Sequence, residues 1–295
     1  MLVHAHPDDE TIGNGLTMAK YAAEGAGVTL VTCTLGEEGE VLVPELEHLG
    51  AEHDDNLGPT RLAELETAMV ALGITDFVRL GGDYRFRDSG MAYDDQRRAG
   101  ARDVLRDGIF WTADLLEATN ELVPLIRDRR PHVLVTYDEL GAYGHPDHIQ
   151  AHRVAMYGYL LAGMPSYRPD LGEAWSVPRV LWNTSSRTRL REAIAKLRAS
   201  GDMESFADWG WDADDADAAA ADAGIAAEIT GEEHVAAKVA AMRAHATQIT
   251  EDGPFFAGAA VLGHTIWAVE HYRFVAGIPF PDGDRPADDL FVGLG

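Results

Sequence analysis

A chain of 295 residues, 46% hydrophobic and 25% charged, is long enough to bury a large core and has the composition of a globular protein. Its 49 acidic and 24 basic side chains give a net charge of −25, which repels phosphate backbones and argues against nucleic-acid or anionic-membrane partners. A single cysteine, Cys33, excludes an intramolecular disulfide and a Cys-rich zinc site, and no apolar run reaches the roughly 18 residues of a membrane span.

In chain order, MLVHA reads as a strand cut short: either the chain begins upstream of Met1 or the strand is brief. The opening lacks the basic and long apolar regions of a secretory signal, so a cytoplasmic location is expected. A helix is predicted over 11–25, a strand over 27–36 with Cys33 as a buried thiol, and a helix over 60–73 between Pro59 and Gly73. A strand over 76–81 follows, then a helix over 112–131 disturbed at Pro124, a strand over 132–137 and a helix over 147–163. This alternation predicts an α/β, Rossmann-like fold: a mostly parallel sheet with helices on both faces. Residues 166–295 form a smaller, irregular C-terminal part. It has a strand over 179–185, helices over 187–200 and 231–249, an exposed Ala/Asp-rich stretch over 201–225 and an apolar end over 265–277. Residues 1–165 are expected to form the metal-binding catalytic core, with 166–295 completing the substrate site in one compact unit.

The segment AHPDDETIGNG, 5–15, admits two readings. A dinucleotide fingerprint needs its first glycine at the strand end, yet seven residues, His6 to Ile12, intervene before Gly13, and Met18 stands where Gly or Ala is wanted. Gly13 and Gly15 are better read as letting a helix pack closely. The alternative is a metal site. His6 and Asp9 are three apart at a helix start, so their side chains can converge, with Asp8 facing another way. A helix cap by Asp8 or Asp9 is the plain alternative.

A second cluster, YGHPDH at 143–148, repeats the arrangement of strand end, loop, His-Pro-Asp and helix, and supplies His145, Asp147 and His148. In a parallel sheet both loops emerge at one edge. A catalytic zinc site needs three mixed His and carboxylate ligands and an open water position, and two facing loops provide His6, Asp9 and a third histidine.

AHPDDE with a later GHPDH resembles the LmbE-like (PIG-L) family of metal-dependent N-acetyl-sugar deacetylases. VTCTLGEEGEV at 31–41, RDSGM at 87–91, VTYDELGAYGHPDH at 135–148 and KVAAMRAHATQI at 238–249 are similar to the branch that acts on acetylglucosaminyl-inositol in mycothiol biosynthesis, an actinobacterial pathway. The resemblance implies a zinc-dependent amidohydrolase, with ferrous iron also possible, whose metal ligands are His6, Asp9 and His148. It implies Asp8 as general base and Tyr143 and His145 as groups that polarise the amide carbonyl, stabilise the oxyanion and protonate the leaving amine, His145 as an imidazolium. Asp147 would orient His145, and Arg61 and Asp88 would hold the sugar-inositol hydroxyls of a small-molecule substrate. By default, Tyr143 and Asp88 are turn residues, Asp147 a helix cap and Arg61 a surface cation. His4 is expected to support the site, and His245 to lie in the core or beside the site.

Two alternatives stay open on substrate: the sister mycothiol S-conjugate amidase, whose HPDDES is followed by SKG where this chain has TIGNG, or a deacetylase of another N-acetyl sugar. Glu37, Glu38 and Glu40 form an acidic loop open to a role at the substrate or in the charge of the site. Oligomeric state and the role of 201–225 are not legible.

Overall fold

The computed structural model describes every residue except 97, 204–214, 257–258, 260–262, 264–266, 284 and 295. Much of the acidic stretch expected to be an exposed loop, and part of the apolar end, lie outside the described residues.

The elements in chain order are β1 (Leu2–His4), α1 (Asp9–Ala23), β2 (Thr29–Thr32), α2 (Leu57–Leu72), β3 (Asp76–Arg79), β4 (Ala92–Tyr93), β5 (Ala99–Gly100), α3 (Leu115–Arg129), β6 (Val133–Thr136), α4 (Gly141–Gly144), α5 (Pro146–Ala162), β7 (Arg179–Thr184), α6 (Arg187–Ala199), α7 (Asp215–Asp222), β8 (Ala227–Thr230), α8 (Val235–Ala244) and β9 (Val269–Gly277). Seven strands form one sheet in the order β3-β2-β1-β6-β7-β9-β8. The first five are parallel, and β9 and β8 add antiparallel. The predicted α/β sheet with helices on both faces is therefore present, and strands from the C-terminal part extend it.

Because successive strand side chains point to opposite faces, each strand feeds two cores. Val3, Val31, Leu134 and Val180 pack with Leu122 and Ile126 of α3 and Val154 of α5. Leu2, Leu30, Val135 and Leu181 pack on the other face with Met18 of α1, Met69 of α2 and Ala241 of α8. Burial on both faces explains the continuous apolar runs of these strands.

The chain steps outward from β1 through β2 to β3, then returns to place β6 on the other side of β1. That reversal makes the carboxyl ends of β1 and β6 the switch point of the sheet, where open α/β folds form their ligand crevice. Pro124 lies inside α3 without ending it. The expected loop over 201–225 is helical where α7 begins, and Asp222 accepts the Ser186 hydroxyl at 2.7 Å and the Arg187 N–H at 2.7 Å at the start of α6.

Helix α1 is seated by a buried ion pair. Lys238 Nζ of α8 lies 2.6 Å from Glu270 Oε1 of β9, both nearly inaccessible. The Glu270 carboxylate accepts the N–H groups of Leu16 and Thr17 at 2.9 Å each, while Lys238 donates to the Ile12 carbonyl at 2.9 Å. The pair is thus inserted beside the hydrogen-bond ladder of α1, an approach that Gly15 permits, while Gly13 admits β7. A Cβ on Gly15 would stand 3.1 Å from Lys238 Cγ, and one on Gly13 would stand 2.8 Å from Asn183 Nδ2 of β7. Close packing, rather than cofactor binding, accounts for both. Breaking one member of such a pair strands the other charge in the core, at a cost of about 3–5 kcal/mol. Glu270→Ala is therefore expected to lower unfolding stability by that order, read as a fall in the urea midpoint, with Glu270→Gln less harmful.

Candidate active site and metal centre

Two loops leave adjacent strands at the switch point. The first carries Ala5 to Asp8 from β1 into α1. Asp8 has φ 115° and ψ −35°, a conformation that a non-glycine residue holds only when its surroundings enforce it. Its carbonyl accepts the N–H groups of Thr11 and Ile12 at 3.0 Å each, which starts the helix. Its side chain makes no capping bond; it lies 3.3 Å from Arg61 Nη2 instead. The plain capping role that the sequence allows for Asp8 is thus absent. Asp9 turns inward: Oδ2 accepts the His6 N–H at 2.9 Å and lies 3.3 Å from His6 Nδ1, while Oδ1 lies 3.3 Å from His148 Nε2.

The second loop runs from β6 through Tyr137 and α4 to α5. His145 caps α5, its Nδ1 accepting the Asp147 N–H at 3.1 Å, with Pro146 at the first helical position. The Asp147 carboxylate does not take up the expected orientation toward His145. It accepts the N–H of Ser89 at 2.8 Å and the Ser89 hydroxyl, and faces His6 Nε2 at 3.3 Å. Asp147 is joined to His145 through its backbone N–H, because the first turn of α5 turns its carboxylate toward β1.

His148 is 2% exposed, yet neither ring nitrogen has a hydrogen bond. A buried imidazole with both nitrogens unsatisfied is costly, and a metal ligand is the arrangement that relieves it. Among the described residues, two groups have donor atoms within 4.8 Å of one another, His6–His145–His148 and His6–Asp88–Asp147. Asp9 belongs to neither group but lies 3.3 Å from both His6 and His148, so nitrogen and carboxylate donors of the kind zinc or ferrous iron accepts are gathered here and the residues present fit a metal.

The electrostatics follow from this crowding. Burial opposes a charge on His6, but Asp88, Asp147 and Asp9 outweigh it and hold the imidazole well above its usual pKa, so the surroundings favour a cation there. Burial, reinforced by His6 and His148, pushes His145 far down, which favours the neutral imidazole over the imidazolium that the resemblance implies. With Nδ1 accepting from Asp147, its proton sits on Nε2. Burial raises Asp8 to about 6, with Arg61 acting in the opposite direction.

Residues that the sequence reading missed complete the site. Tyr137 stacks on His148 with ring centroids 4.3 Å apart, and its hydroxyl meets His4 Nδ1 at 3.0 Å, the Ala5 N–H at 2.9 Å and the Asp9 side chain. His4 in turn meets Asn14 of α1 at 2.9 Å, the supporting role expected of it. Tyr137 ends a strand of β-branched residues, and nothing in that run distinguished it from core. The acidic loop after β2 proves to be a scaffold. Glu37 accepts the Asp88 N–H at 3.0 Å, Asp88 accepts the Glu38 N–H at 3.1 Å, and the Glu38 carboxylate gathers Arg87 at 2.6 Å, Arg102 at 2.7 Å and Arg106 at 3.3 Å.

Asp88 lies 3.4 Å from His6 Nε2 and, with Ser89, Glu38, Arg102, Arg106 and Ile109, lines a cavity of about 330 Å³. Arg61 is buried rather than a surface cation, and it donates to the carbonyls of Gly36 and Pro7 as well as facing Asp8. Tyr143 is 54% exposed at the mouth, its ring centroid 5.1 Å from that of His148.

Comparison with known proteins agrees with this arrangement. Residues 1–158 match the PIG-L family model, described as GlcNAc-PI de-N-acetylase. Relatives from Nocardioides sp. (52% identical, 98% of the relative covered) and Kribbella flavida (53%, 97%) match all of this chain, and both are named 1D-myo-inositol 2-acetamido-2-deoxy-alpha-D-glucopyranoside deacetylase. Among solved structures, N,N'-diacetylchitobiose deacetylase from Pyrococcus horikoshii has the same fold at TM-score 0.60 and 17% identity, over 93% of this chain and 82% of that one. A conserved protein of Thermus thermophilus does so at TM-score 0.56 and 23% identity, over 96% of each chain. Two His-Pro-Asp loops on adjacent strand ends, matched along the whole chain to such relatives, place this protein in the PIG-L family.

Proposed function

We propose that this deacetylase removes the N-acetyl group of N-acetylglucosaminyl-inositol, giving glucosaminyl-inositol and acetate, a step of mycothiol biosynthesis. The observation that carries the substrate is the identity of half or more of all residues, end to end, with relatives sharing that one name. Among the described residues no helix is long and apolar enough to cross a membrane, which suits a small-molecule substrate.

In this reading His6, Asp9 and His148 hold a divalent ion, zinc or ferrous iron. Such an ion supplies Lewis acidity and brings the pKa of water from about 16 toward about 7. Asp8, released from capping duty beside these ligands, takes the proton of the attacking water as its oxygen bonds to the acetyl carbon. Tyr143, half-exposed at the mouth, donates its hydroxyl to the oxygen that gains charge. The Nε2–H of His145 is the remaining hydrogen-bond donor to that oxygen, and the proton that Asp8 took from the water passes to the amine nitrogen as the C–N bond breaks. Asp147 fixes the His145 tautomer through its backbone N–H and steadies His6 through its carboxylate. Asp88 presents a carboxylate to the cavity, where substrate hydroxyls can bond it. Arg61, carried over as a hydroxyl-holding group, has contacts that favour a supporting role under Asp8.

Zinc-loaded protein is expected to release primary amine from acetylglucosaminyl-inositol faster than it cleaves a mycothiol bimane conjugate, and to stop after chelation or in Asp8→Ala. Faster cleavage of the conjugate would make it the sister amidase. Because the base acts only when deprotonated, kcat/KM should fall about tenfold per pH unit below pH 6. Removing the cation that stabilises the carboxylate, as in Arg61→Gln, should move this acid limb to higher pH; a limb that stays in place separates Arg61 from Asp8. Tyr137→Phe deletes the hydroxyl behind Asp9 and should weaken metal affinity about 10- to 100-fold, measured by competition with a chromophoric chelator.

A further inference from the structure

Behind Asp8 lies a second acid–imidazole pair that the proposed chemistry leaves unused. Glu10, in the first turn of α1, and His245, just past the end of α8, are fully buried, with Glu10 Oε1 3.0 Å from His245 Nε2. Thr11 Oγ1 donates to the same Glu10 oxygen at 2.7 Å. The other oxygen, Oε2, accepts the backbone N–H of Asp8 at 2.9 Å. His245 is held by its own backbone, its carbonyl accepting the N–H groups of Gln248 at 3.0 Å and Ile249 at 2.8 Å. On the far side, Arg61 of α2 faces the Asp8 carboxylate at 3.3 Å. Three elements, α1, α2 and α8, therefore converge on one residue.

An aspartate at a helix start normally turns its side chain back onto the helix N–H groups. Asp8 does not, and its φ of 115° is one that the chain would leave if nothing held it. Glu10 grips the Asp8 N–H as the reach-back carboxylate of a capping box does, but from the second helical position instead of the third and without the other half. A carboxylate in that dry position requires a positive or donor partner, and α8 supplies one.

We propose that Glu10 and His245 are positioning residues for Asp8: together they hold its strained backbone so that its carboxylate faces the reacting centre instead of capping α1. The inference rests on the general-base role of Asp8. Neither side chain touches substrate in this account, so losing the pair slows the chemical step and leaves substrate binding and metal content alone.

The test is a cycle with Asp8. His245→Ala is expected to lower kcat about 100-fold, the effect of an ångström-scale misplacement, with KM, metal per chain and circular dichroism unchanged. His245→Gln, whose amide can replace the Nε2–H toward Glu10, should recover most of the rate. In an Asp8→Ala background, His245→Ala should cost nothing further, because the residue it positions is gone. An equal loss in both backgrounds, a parental kcat in His245→Ala, or a loss of bound metal overturns the proposal. An Asp8→Ala protein as fast as the parent overturns the base assignment itself, and this inference with it. Should His245→Ala not fold, the contrast of His245→Gln with His245→Asn, whose donor falls short of Glu10, decides the matter: fast and slow support positioning, equal rates overturn it.

Discussion

The structure is organised around the difficulty of keeping charge dry. Asp9 and Asp147, with His6, His145 and His148, lie on the two loops that leave adjacent strands, and Asp88 joins them from the segment after β3; all but Asp9 are nearly inaccessible to water. An isolated buried carboxylate is prohibitively costly, so each must be matched by a cation or by several donors. The matching is visible at every position. Asp9 lies between two imidazoles, Asp147 takes two donors from Ser89, and Asp88 takes backbone N–H groups from Glu38 and Gly90. His148, neither of whose ring nitrogens makes a hydrogen bond and whose Nε2 lies 3.3 Å from Asp9, is the imidazole that a bound metal would satisfy.

That arrangement demands rigid supports, and they come from far along the chain. Helix α1 carries Asp8 and Asp9 at its start and is pinned midway by Lys238 and Glu270, from α8 and β9. Asn14, one turn along from Glu10, links His4 on one side to the Tyr272 hydroxyl on the other at 2.9 Å. The C-terminal part is thus coupled through buried hydrogen bonds to α1, the helix that carries Asp8 and Asp9 at its start.

A separate scaffold surrounds Asp88 and the cavity beside it. The loop after β2 and the segment around Asp88 grip each other through Glu37 and Glu38, and Glu38 collects three arginines from the segment that includes the β4–β5 hairpin. Acidic residues that look like surface charge in the sequence are therefore internal countercharges. The excess of negative charge does not mark the whole molecule uniformly: the cavity beside Asp88 is lined by side chains of both signs.

Local pattern was enough to read the α/β alternation, the two His-Pro-Asp loops and the residues they carry, because strand burial, helix starts and metal-ligand spacing are written over a few residues each. Helix ends were legible to within a few residues for the same reason. What local pattern does not contain is which way a side chain turns once several could serve. That Asp147 faces His6 and Ser89 rather than His145, that burial and its neighbours push His145 down, and that Arg61 lies buried beside Asp8 all follow from neighbours remote in sequence. Glu10, Tyr137 and His245 had no signal as a group, since 235 residues separate the members of the Glu10–His245 pair. Only tertiary packing brings α8 onto α1 and makes those distant polar atoms partners, because a buried polar group must find its partner wherever the fold supplies one.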